Sequence, residues 1–97
     1  MKKFQKYCAE VVKKIDRKYK IKRDPQLSIA QLLEELGELA KEINRKKLRG
    51  KKAGRIELKN EFADVFLQLA ILADIHSIDI ESSVKKKIEE LKERNYF

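Results

Sequence analysis

The chain has 97 residues, 42% of them hydrophobic and 41% charged, with a net charge of +8. That is the length of one domain, residues 1–97, and the chain is too apolar to be disordered. One Pro and three Gly exclude a turn-rich all-β fold, and the single Cys8 excludes an internal disulfide or a multi-cysteine zinc site.

The first helix is predicted over about 3–20. Phe4, Tyr7, Cys8, Val11, Val12, Ile15 and Tyr19 recur at steps of three and four, which makes one apolar stripe. Cys8 lies on that stripe and reads as core, while Phe4 and Tyr7 read as core or interface. A Lys-rich linker then reaches Asp24-Pro25, a helix-start signal. Ser28-x-x-Gln31 is a second candidate start, a capping box.

The second helix runs to about Asn44. Ile29, Leu32, Leu33, Leu36, Leu39, Ala40 and Ile43 form its apolar face, and Glu34, Glu35, Glu38 and Glu42 fall on the other side. Gly37 lies inside it. Because Gly there costs about 1 kcal/mol against Ala, a close neighbour or ligand is expected at that point. Residues 45–55 carry seven basic and no acidic groups together with Gly50 and Gly54, and are predicted to be a loop.

The third helix, about 56–76, carries the most information. From Phe62 to Ile75 eleven of fourteen residues are apolar and point nearly all round the axis. Glu57, Glu61, Asp64 and Gln68 nevertheless form one narrow polar stripe through it. A buried carboxylate costs several kcal/mol (roughly) unless it is paired or bound to a metal. Glu35 and Glu38 on the second helix repeat the i, i+3 spacing of Glu61 and Asp64. Two antiparallel helices can aim these four carboxylates into one cleft, where a divalent cation relieves their repulsion. Oxygen ligands favour Mg²⁺, or Mn²⁺ as a substitute, over zinc.

His76 sits at the helix end and reads as a polar surface residue. Asp79 is the predicted cap of a fourth helix with the stripe Ile80, Val84, Ile88 and Leu91. Lys87 and Arg94 share one of its faces. The longest apolar run, Leu69–Ala73, is too short to span a bilayer, and the first residues lack the apolar stretch of a signal peptide. A cytoplasmic, all-α chain is expected.

Glu34-Glu35-Leu36-Gly37-Glu38, followed by Glu61-Phe62-Ala63-Asp64, resembles the EExxE…ExxD pattern of the MazG-like, all-α nucleoside triphosphate pyrophosphohydrolases. The resemblance covers roughly residues 25–95 and extends to the last helix. It implies Mg²⁺-dependent cleavage of an NTP or dNTP to the monophosphate and pyrophosphate. It implies metal ligands at Glu35, Glu38, Glu61 and Asp64, with Glu34 as general base or as support for the ligands. Lys87, Arg94 and the basic 45–55 segment would meet the phosphates. The third helix has more apolar surface than the other three can cover. The four-helix bundle is therefore expected to be completed as a homodimer or a dimer of dimers. The contrasting reading is a small basic nucleic-acid-binding or regulatory module without catalysis. On the pyrophosphohydrolase reading no nucleic-acid partner is expected.

Overall fold

A computed structural model of the chain is all-α. It describes residues 1–49 and 55–97, and the side chains of all of these except 46, 48, 49, 55 and 56. Four helices follow one another among the described residues: α1 Lys2–Lys18, α2 Pro25–Arg49, α3 Arg55–Ile75 and α4 Ile80–Glu93. The central helix is α3, which packs against α2 and α1, while α4 rests mainly on α1. The innermost cluster is Ala9, Val12 and Ile71, with Leu67 packed against it.

The buried line of α1 differs from the expected stripe. It consists of Gln5, Cys8, Ala9, Val12 and Asp16, whereas Phe4, Tyr7, Ile15 and Tyr19 are exposed. These positions also share one helical face, but its two ends are polar and bonded elsewhere, so apolar spacing alone misses them. Gln5 donates to the Ile78 carbonyl at 2.7 Å and accepts from the Ile80 N–H at 2.8 Å. It thereby caps α4 from another helix. Asp79 occupies the N-cap position as expected, but its side chain makes no capping bond.

The start of α2 is Asp24. Its Oδ1 accepts from the Leu27 N–H at 2.8 Å, while Ser28 lies inside the helix and is fully buried. At the other end α2 runs on through residues 45–49, which were expected to be loop. Lys, Arg and Leu are good helix formers, and that propensity outweighs the repulsion of their like charges. Residues 50–54 of the expected loop lie outside the described residues. A Cβ at Gly37 would meet nothing within 4 Å among the described residues, so no close neighbour among them explains that glycine.

Helices α1, α3 and α4 end alike. Lys20, Ser77 and Asn95 adopt φ of 55°, 54° and 62°. After each, the next N–H returns to a helix carbonyl: Ile21 to Asp16, Ile78 to Ala73 and Tyr96 to Leu91. This is the Schellman arrangement, made here without glycine.

The result is a slab of 44 × 43 × 23 Å with a radius of gyration of 16.1 Å, where a compact domain of this length would have roughly 12.5 Å. Its surface of 7863 Å² exceeds the roughly 5,800 Å² expected of a compact monomer of this mass. Large apolar side chains are part of that surface. Phe4, Phe62, Leu33, Leu36 and Ile43 are exposed, as are Val84 and Ile88 of the α4 stripe.

Candidate metal and active site

Packing of α2 against α3 brings the acidic residues of the two helices together. One carboxylate oxygen from each of Glu35, Glu61 and Asp64 lies within 4.8 Å of the others. Three like charges this close raise each other's cost of ionisation. Burial raises the Glu35 carboxyl above its ordinary value, and Asp64, Glu61, Glu38 and Glu34 add to the shift in that order. Glu61 is raised by desolvation first, then by Asp64, Glu38 and Glu42. Its Oε2 is buried with no hydrogen-bond partner among the described residues. An unpartnered buried oxygen, beside two more carboxylates and with only oxygen donors, fits a hard divalent cation.

Glu38 lies outside the group of three, yet its charge reaches both Glu35 and Glu61. Glu34 sits beside the group and acts on Glu35 alone of the two. Glu42, not singled out as a ligand from the sequence, also faces Glu61, and its Oε1 is 3.4 Å from Arg45 Nη2. Lys87 and Arg94 are exposed on and just after α4. Both approach Glu90 Oε1, at 3.7 and 3.9 Å, and Arg94 also lies over the Tyr96 ring at 5.2 Å. His76 is exposed and Cys8 is buried, as expected.

A second constellation adjoins the first, and the sequence reading missed it. Arg23, in the linker, is buried against Asp16 of α1, with Nε–Oδ2 at 2.6 Å and Nη2–Oδ1 at 3.1 Å. Its remaining N–H groups reach Gln31 Oε1 at 2.7 Å, Ser28 Oγ at 3.3 Å and Gln68 Oε1 at 3.5 Å. Gln31 precedes Glu35 by one helical turn and Gln68 follows Asp64 by one turn. Arg23 therefore ties α1, α2 and α3 together at one end of the acidic cluster. The sequence signal available was the arginine beside the Asp24-Pro25 helix start, but its partner Asp16 reads as part of a wet face.

Among the described residues no helix is long and apolar enough to cross a membrane. No curated protein and no solved structure matches the chain significantly. The family model of the MazG nucleotide pyrophosphohydrolase domain does match, over residues 23–96, a span that holds all four paired acids together with Lys87 and Arg94. The acidic cluster thus lies in the domain that the sequence pattern suggested, and the chain belongs to the MazG nucleotide pyrophosphohydrolase family.

Proposed function

We propose that the chain hydrolyses a nucleoside triphosphate, ribo or deoxy, to the monophosphate and pyrophosphate with Mg²⁺, or Mn²⁺ in its place. The observation that carries this reading is the convergence of Glu35, Glu61 and Asp64 within 4.8 Å in a member of this family. Those three and Glu38 would hold the cation, whose contribution when bound is to neutralise phosphate charge. Glu34 is close enough to act on Glu35 yet outside the cluster. It would take the proton of the attacking water or hold the ligands in position. Lys87 and Arg94 would exchange their shared Glu90 contact for the substrate's phosphates.

The working unit on this reading is a homodimer or a dimer of dimers in the cytoplasm, with no nucleic acid. The support for assembly is the surface excess of roughly 2,000 Å² over a compact monomer. That is on the order of what one protomer of an obligate dimer contributes. The exposed Leu33, Leu36 and Phe62 lie on the two helices that carry the acids. A second copy covering them would bring its own cations beside the cluster. Light scattering at micromolar concentration is expected to give twice or four times 11.4 kDa, and a monomer would refute this part.

The activity is tested with each common NTP and dNTP in the presence of Mg²⁺, assaying pyrophosphate and monophosphate. Equal amounts of both products are expected from at least one substrate. Release of inorganic phosphate and the nucleoside diphosphate instead, or no product from any substrate, would overturn the proposal.

A further inference from the structure

Arg23 does more than join three helices. A guanidinium has five N–H donors and no acceptor. Here all five are used, two on Asp16 and one each on Ser28, Gln31 and Gln68. Because Arg23 can only donate, each glutamine must meet it with the carboxamide oxygen. Both NH₂ groups are thereby turned the other way. Neither has a hydrogen-bond partner among the described residues, and neither is a buried orphan.

Both glutamines line a cavity of about 230 Å³. Its walls are Val12, Ile15, Ile21 and Leu67, and it shares Glu35 and Asp64 with the acidic cluster. It is smaller than the roughly 300–1,000 Å³ that encloses a drug-sized ligand. A single flat heterocycle suits it, with the charged remainder of the ligand outside. A molecule whose phosphates lie at the acids would reach this cavity with its base.

We propose that this cavity is the nucleobase subsite, and that the Gln31 and Gln68 amides select bases whose ring edge carries carbonyl oxygens over their amino counterparts. The inference rests on the nucleotide reading of the adjoining acids. The chemistry is one of matched donors and acceptors. A carbonyl oxygen of uracil or hypoxanthine accepts from an amide N–H. The amino group that replaces it in cytosine or adenine sets donor against donor and leaves both unpaired. A site built to hydrogen-bond one group discriminates strongly against an analogue that cannot.

Two matched pairs isolate the carbonyl: dUTP against dCTP, and ITP against ATP. The keto member of each pair is expected to have at least tenfold higher kcat/KM. Gln31→Glu and Gln68→Glu keep one oxygen on Arg23 but turn an acceptor toward the cavity. Each is expected to bring the keto-to-amino ratio down, to below one in the dUTP and dCTP pair. Ratios near one for the wild-type chain, or ratios unchanged in both variants, would overturn the proposal while leaving the hydrolase reading intact.

An NMR titration of the wild-type chain needs neither turnover nor a variant. Without metal, dUMP is expected to shift the side-chain NH₂ resonances of Gln31 and Gln68 at lower concentration than dCMP. If no triphosphate is hydrolysed but this preference is seen, the hydrolase reading fails and the base subsite stands. Shifts that are absent, or equal for the two nucleotides, would overturn the subsite.

Discussion

Replacing Glu35 by Gln tests the acidic cluster without relying on turnover. Glu35 faces Asp64 and Glu61 at no more than 4.8 Å. At that distance two unit charges repel by about 1 kcal/mol at the dielectric of water and about 3.5 kcal/mol at an effective value near 20. The cluster is only partly buried, so the lower figure is the guide for the Asp64 contact, and salt reduces it further. Relief of about 1 kcal/mol raises the melting temperature of a domain this size by about 4–8 °C. The variant is therefore expected to melt several degrees above the wild-type chain in EDTA at neutral pH. The pH dependence has a definite sign. Burial and like charges raise the Glu35 and Glu61 carboxyls above 4.5. Between that value and the raised ones the folded chain binds more protons than the unfolded chain. These groups therefore make stability fall as pH rises through that window. The advantage of Glu35→Gln should vanish below the window and be complete above it. Mg²⁺ or Mn²⁺ should reverse the order, because a cation at 100 times its Kd stabilises the wild-type chain by about 2.7 kcal/mol. Differential scanning calorimetry with and without metal reads both effects. A variant less stable than wild type in EDTA, or a wild-type melt indifferent to both cations, would refute the reasoning.

Glu38→Gln and Asp64→Asn should each remove most pyrophosphate release while the far-ultraviolet circular dichroism stays unchanged, and a normally active Asp64→Asn chain would sink the site. Asp16→Asn or Arg23→Met leaves a charge buried without its partner. A loss of about 3–5 kcal/mol is expected in urea melts, and a loss under 1 kcal/mol would mean that the pair is solvated. Gln5→Ala removes its two hydrogen bonds to the start of α4. It should cost about 1–3 kcal/mol and speed amide exchange in residues 80–83, whereas unchanged exchange there would assign the cap elsewhere.

The sequence made the helices and the paired acids legible for one physical reason. Carboxylates at i, i+3 inside an apolar helix such as α3 have no cheap explanation, so Glu61 and Asp64 stand out before any fold is known. The second half of the site was not legible. Asp16 looks like a solvated acid on a basic helix, and Arg23 looks like one more cation in a basic linker. Only the fold back of residues 19–24 buries them against each other, and that depends on a left-handed turn at Lys20, where no glycine marks it. The same blindness applied to Gln5, whose partners Ile78 and Ile80 lie more than seventy positions away. The misplaced end of α2 has a different cause. A run of like charge was weighed above helix propensity.

The pairing of Arg23 with Asp16 has a consequence for ionic strength. The cavity beside them contains a full positive charge, but a carboxylate at 2.6 Å cancels it. The choice between bases proposed for it would rest on the two neutral amides, which dissolved salt barely touches, while Glu35 and Asp64 line its other side. The acidic cluster works through net charge, which salt screens. The two halves of a bound nucleotide would then be held by forces of opposite salt sensitivity. Raising ionic strength should weaken overall substrate capture and leave the preference between bases almost constant.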